Sequence, residues 1–310
     1  EPSLVDKFKE EQLKKELARI PGESIVVVQD EDIVKVHVHT LKPGNALNIA
    51  QRFGEFVKLK IENMQEQADT IQSNAGTIVG VDDNAKPKRE AKETAVISVC
   101  AGDGLKDAFL ELHCDYVVSG GQTMNPSAED MVQAVRDVNA KNVIILPNNS
   151  NIVMTAQQTA TILEDEVNVI VIPTKTIPQG LSACIMFNPD ASLDDNVAEM
   201  TEAVGNVKTG QVTFAIKDTN IDGVEIKAND YMALVEKDIV ACKDNKLKAL
   251  KVVLEKLVDE DAELITLIYG EDVNDDDIEE IESFVEDNFE AELEVVNGKQ
   301  PVYSFIVGVE

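Results

Sequence analysis

The sequence is short of positive charge: Lys and Arg number 28 against 58 Asp and Glu in 310 residues, a formal net charge of −30. Such a surface repels a phosphate backbone, which argues against nucleic acid as a partner, and anionic membrane surfaces are disfavoured for the same reason. Long apolar runs are missing as well. None approaches the roughly 20 residues of a membrane-spanning helix, so no membrane insertion is expected. The opening segment, EPSLVDKFKEEQLKKEL, has neither the basic start nor the apolar centre of a secretory signal, and a cytoplasmic location follows as the expectation. Four cysteines (Cys100, Cys114, Cys184, Cys242) show no CxxC spacing, and three lie in apolar segments. They are expected to be free thiols of a reducing compartment, largely buried. Histidines number three, and GxxxxGK[ST] occurs nowhere, which excludes a P-loop kinase.

What the chain does contain is a unit repeated four times between Thr94 and Gly180: a short apolar strand, a polar loop, then a helix. The strands are TAVISV, DYVV, NVIIL and VNVIVI, and the loops AGDG (101–104), SGGQTMNPS (119–127), PNNSN (147–151) and PTKTIPQG (173–180). Strands joined by helical crossovers run parallel, so all four loops emerge at the carboxyl edge of one sheet, where open α/β folds bind ligands. These loops offer hydroxyls, carboxamides and one ammonium. The candidate binding residues are Gln122, Thr123, Asn125, Ser127, Asn148, Asn149, Lys175 and Gln179. With no histidine among them, they suit hydrogen bonding to a head group or to a protein surface better than proton transfer.

Residues 1–64 read as α-β-β-α-β, with helices over 4–19 and 44–53 and strands over 24–29, 33–40 and 55–63. That is a ferredoxin-like unit without its first strand, as if cut from a longer protein. Residues 65–93 lose all period and read as a linker. An α/β lobe then runs over 94–205, and an α+β lobe of short strands and two helices over 206–310. A helix is expected from Asp275 to Glu286, capped by Asn274, with Asp275, Asp276 and Asp277 at its positive end. Its apolar stripe is Ile278, Ile281, Phe284 and Val285, and its acidic face is solvated.

His37 and His39 stand two apart in the strand IVKVHVHT, so they share a face opposite Val34, Val36 and Val38. They could converge on one metal ion or one anionic group, or simply be exposed; zinc would need a third ligand. His113 is expected on the core side of the helix LKDAFLELHC. AGDG lacks the third glycine of a dinucleotide loop and carries Asp103 where phosphate would sit, so it reads as a tight turn with an acidic helix start. Gly120 and Gly121 permit close backbone approach.

GGQTMNPS, ILPNN, VIPTKTIPQG, KTGQVTFAI with DTNIDG, and KVHVHT are spread along nearly the whole chain. Together they resemble the kinase subunit of bacterial fatty acid kinase, the FakA family, which is dihydroxyacetone-kinase-like and DegV-like. The resemblance implies a linker domain followed by a DegV-like region, with the ATP- and magnesium-binding domain absent from this chain, which alone should then be inactive. It implies a DegV-type fatty-acid carrier as partner, whose bound fatty acid is phosphorylated to acyl phosphate for phospholipid synthesis, and a homodimer. It also implies a catalytic, zinc-associated role for His37 and His39, although no residue here matches the family's accompanying cysteine. The alternative is a DegV-like module that holds a fatty acid carboxylate itself.

Overall fold

The computed structural model describes residues 10–20, 22–30, 33–40, 42–57, 92–221 and 223–310. They belong to two compact units, Glu1–Asp83 and Asn84–Glu310.

The first unit contains α1 (Glu10–Leu17), β1 (Gly22–Asp30), β2 (Ile33–Thr40) and α2 (Pro43–Ala50). β1 and β2 form an antiparallel hairpin. Leu13, Leu17, Val27 and Ala46 make the small core, and Val34 and Val38 pack against it as strand alternation requires. Val36, of the same parity, is exposed. Of the strand expected over 55–63, residues 55–57 are irregular and the remainder lies outside the described residues. So does the expected linker as far as residue 91; Lys92 and Glu93, read as linker, already belong to a strand.

The second unit opens with β3 (Lys92–Cys100), α3 (Asp103–Glu111), β4 (Tyr116–Ser119), α4 (Ala128–Val138), β5 (Ala140–Leu146), α5 (Ser150–Ile162) and β6 (Asn168–Val171). The four strands are parallel in the order β4-β3-β5-β6. Ala95 to Cys100 are all buried, because this sheet is covered on both faces. α4 and α5 cover one face through Met131, Val135, Ile152 and Ala156. α3, α6 (Ile177–Met186) and α7 (Leu193–Asn206) cover the other.

The expected α+β lobe follows. Its strands are β7 (Lys208–Phe214), β8 (Thr219–Ile221), β9 (Val224–Ile226), β10 (Tyr231–Val235), β11 (Asp238–Lys243), β12 (Leu264–Tyr269), β13 (Glu292–Asn297) and β14 (Tyr303–Val309). Six of them form one sheet in the order β11-β10-β7-β14-β12-β13, and β8 pairs with β9. α8 (Lys246–Leu257) and α9 (Asp275–Asn288) cover its outer face, onto which Phe305 and Val307 point. Ile306 and Ile268, of opposite parity, join the other core. α9 forms with the cap read from its sequence: Asn274 Oδ1 accepts from the Asp277 amide at 3.0 Å, and Asp277 Oδ2 accepts from the Asn274 amide at 3.2 Å.

The layer of α3, α6 and α7 is thus shared by both sheets. Leu105, Phe109, Ile144, Leu146, Leu181 and Met200 fill it from one lobe, and Ile268 and Ile306 from the other, all buried. The lobes are joined by a continuous core, which is why they belong to one unit.

Candidate functional site

The four polar loops do leave one edge of the parallel sheet, and the structure gives them unequal tasks. The turn at 101–104 is spent on joining the lobes. Gly102 has φ +112°, and a Cβ on it would lie 2.4 Å from the Gly298 carbonyl oxygen. A Cβ on Gly104 would lie 1.8 Å from the Asn297 carbonyl oxygen. The Leu105 amide donates to Gly298 O at 3.0 Å. These glycines are there for the β13–β14 connection, in keeping with the weakness of AGDG as a nucleotide signature.

In the loop 119–127, Gly121 and Met124 exchange two backbone hydrogen bonds, so the tip closes on itself. Ser127 caps α4: its hydroxyl donates to Asp130 Oδ2 at 2.6 Å and accepts from the Asp130 amide at 3.1 Å. Gln122 Oε1 accepts from Asn149 Nδ2 at 3.1 Å, tying this loop to the next. Thr123, Met124 and Asn125 stay exposed.

Asn148 lies at the point where the strand order reverses, between β3 and β5. It is buried, with φ +55°. Its Nδ2 donates to Ser98 Oγ at 2.7 Å and to Val99 O at 3.0 Å, its Oδ1 accepts from the Thr174 hydroxyl at 2.8 Å, and its amide donates to Thr174 Oγ1 at 2.9 Å. The carboxamide is saturated from within the protein. Asn149 caps α5, its Oδ1 accepting from the Asn151 amide at 2.9 Å.

In the loop 173–180, Thr176 caps α6 and its hydroxyl meets that of Thr209 on β7 at 2.9 Å. Gln179 Oε1 accepts from the Lys175 amide at 2.8 Å. Lys175 and Gln179 line an open cleft of about 640 Å³, with Val204, Lys208 and Glu236 on its far side. Lys208 is paired with Asp259, and Glu236 Oε1 accepts from the Thr209 amide at 2.6 Å. Lys175 has no ion-pair partner among the described residues and is exposed.

Sequence reasoning missed Ser98, Thr174, Thr209, Lys208 and Glu236. A hydroxyl inside the apolar run VISVC was a signal for Ser98; the residues of the second lobe carried none. His113 is also placed differently from expectation. α3 ends at Glu111, and His113 is exposed with φ +66° as the left-handed residue of a Schellman turn, in which the Cys114 amide donates to Phe109 O at 3.0 Å.

His37 and His39 lie on β2 opposite Val26 and Glu23. Their side chains lie outside the described residues. Among the described residues, no three His, Cys, Asp or Glu side chains are arranged to hold a metal ion, and no helix is long and apolar enough to cross a membrane.

Comparison with known proteins bears on this arrangement. Residues 95–310 match the family model for the C-terminal region of FakA-like fatty acid kinase proteins, and residues 2–71 match the model for the middle domain of the same family. Protein YloV of Bacillus subtilis is 44% identical over 304 residues, and an uncharacterised protein of Staphylococcus aureus, SAB1090, is 42% identical over 305. Each alignment takes in 98% of this chain and 54% of the relative, so the chain spans about half the length of the curated relatives it matches. Among solved structures, the DegV family protein Cg2579 of Corynebacterium glutamicum aligns with a TM-score of 0.53 at 14% identity, over 70% of this chain and 96% of its own. Protein TM841 of Thermotoga maritima, described as revealing a fatty acid binding function, aligns at 0.52 and 12%, over 71% and 99%. The dihydroxyacetone kinase of C. freundii aligns at 0.53 and 12%, over 82% and 57%. At these identities the likeness is one of fold.

Proposed function

Because the chain belongs to the FakA-like fatty acid kinase family, we propose that it is the non-nucleotide-binding part of the kinase's catalytic subunit, docking a DegV-type fatty-acid carrier. The carrier's fatty acid would then be phosphorylated to acyl phosphate, a precursor for phospholipid synthesis, with ATP and magnesium held by a part of the enzyme outside this chain. In this reading the first unit serves self-association as a homodimer. Zinc at His37 and His39 would draw a further ligand from outside this chain.

The observation that carries docking is the division of labour at the loop edge. The layer beneath it is filled by Phe109, Leu146, Leu181 and Met200, while Thr123, Met124, Asn125 and Lys175 stand exposed above. A filled layer under exposed loop residues leaves no room there for an acyl chain, which supports contact with a protein surface in preference to a buried lipid. The acidic surface adds steering toward a basic partner, an effect that fades with salt. Titration calorimetry with the cognate carrier tests the reading: measurable binding that weakens with salt is expected, and no binding at low salt overturns it.

The likeness of fold to a protein described as binding fatty acid favours a second reading, in which this chain holds a fatty acid carboxylate itself. Copurifying fatty acid in an organic extract, read by mass spectrometry, is the outcome that would replace docking with it.

A further inference from the structure

The two larger sheets end in four edge strands, β4, β6, β11 and β13, and the last is built differently from the others. β4 and β6 are four residues long, and β11 meets β10 through a break in register. β13 has six residues, ELEVVN, runs in unbroken parallel register with β12, and contains neither proline nor lysine. Short length, bulges, proline and lysine are the usual means of keeping an open edge from pairing. The charges that β13 carries are Glu292 and Glu294.

Two hydrogen bonds fix which way its backbone points. The Glu292 amide donates to Glu263 O at 2.9 Å and the Gly298 amide to Tyr269 O at 3.1 Å, so the even-numbered residues bond β12. Leu293, Val295 and Asn297 therefore turn their N–H and C=O groups away from the sheet. Asn297 O lies against Gly104 of α3, which leaves Leu293 and Val295 to offer two donors and two acceptors. The side chains alternate as well. Leu293 and Val295 pack, half-buried, against the core under α8 and α9, whereas Glu292 and Glu294 share the parity of Val296 and are exposed on the opposite face. That face holds a third carboxylate, Glu310, whose backbone exchanges two hydrogen bonds with Leu264, the residue beside Glu292.

We propose that the β13 edge takes up an extended segment of a partner protein in which basic and apolar residues alternate. Leu293 and Val295 supply its main-chain bonds. Its apolar side chains continue the face that Leu293 and Val295 form, and its Lys or Arg side chains stand beside Glu292 and Glu294. A second copy of this chain fits poorly, since its own β13 would bring like carboxylates to the same short edge, against a net charge of −30 on each chain. The inference does not depend on what the polar loops bind.

The test uses the whole chain and a fluorescein-labelled octapeptide of alternating Lys and Val, followed by anisotropy at low salt. Binding is expected, weakened roughly tenfold or more by Glu292→Lys combined with Glu294→Lys. N-methylation of one alternate set of peptide residues should abolish binding while methylation of the other set is tolerated, because every second residue of an added strand bonds the edge. Which set matters reads the direction of the added strand. This comparison needs no variant to fold. No binding, equal effects of the two methylations, or undiminished affinity in the double variant overturns the proposal. A dimer of the chain that the peptide dissociates, seen by sedimentation, overturns it in favour of a second copy.

Discussion

Gly180 on α6 lies directly against the carboxamide of Asn148: a Cβ added to it would be 2.1 Å from Asn148 Oδ1. Alanine at an interior helical position normally stabilises by about 1 kcal/mol relative to glycine. Here the clash should prevail, because Asn148 is held by four hydrogen bonds and has nowhere to go. Gly180→Ala is expected to lose roughly 1–3 kcal/mol, the range for overpacking, in urea denaturation. A gain in stability would mean that Asn148 yields easily.

Asn148 itself separates backbone strain from hydrogen bonding. Asn148→Ala takes a partner from the Val99 carbonyl and from the Ser98 and Thr174 hydroxyls and leaves at φ +55° a residue without the short polar side chain that makes asparagine tolerant of that region, for a loss of about 3 kcal/mol. Asn148→Gly forfeits the same bonds without the strain and should be about 1 kcal/mol less damaging. Equal losses for the two variants would show that the left-handed backbone carries no strain.

Lys175 tests the docking edge without touching the fold. It is exposed and without an ion-pair partner among the described residues, so Lys175→Glu should leave the thermal midpoint unchanged. Removing a positive charge from an edge that meets a basic carrier should raise carrier affinity at low salt several-fold, about threefold to tenfold, chiefly through faster association, as for other charges at the rim of an interface. Unchanged affinity would remove Lys175 from the docking surface.

Lys246 joins the two outer helices. Its ammonium lies 2.9 Å from Asp277 Oδ2 and also donates to Asp272 O, with both side chains of the pair largely covered. Because Asp277 is also part of the α9 capping box, Lys246→Met removes one of its partners and keeps the cap. A loss of about 1–2 kcal/mol is expected, more than for an exposed pair. A double-mutant cycle with Asp277→Asn should show coupling; strict additivity would discount the pair.

Thiol chemistry carries a pH signature. Burial pushes the Cys100 thiol up to about 12, so its reactive thiolate is scarce at pH 8 and grows only in strong alkali. Iodoacetamide on the native protein at pH 8 should modify Cys242 first and leave Cys100 untouched, as followed by peptide mass. Early modification of Cys100 would mean that its packing opens readily.

Much of the fold was legible because its determinants are local. The four strands read as continuous apolar runs, and Asn274 announced a helix start through its side-chain chemistry, whereas Ser127 and Asn149, read as binding residues, are helix caps. The site was legible in outline only. Asn148 and Lys175 looked alike as polar loop residues, yet one is consumed by Ser98, Val99 and Thr174 while the other stands exposed at the rim. His113 was misplaced because a left-handed residue after Leu112 ended the helix early, and sequence period alone does not mark where a helix stops.

By itself the sequence determined that four polar loops leave one edge of a parallel sheet, since strand period and crossover connection leave no other arrangement. Only the tertiary structure decided what each loop does there. The glycines of AGDG serve the other lobe, Asn148 locks the switch point, and Cys100, Cys114 and Cys184 join one core cluster. Each depends on residues brought together from distant parts of the chain, and such contacts are set by how the layers pack, not by any local pattern.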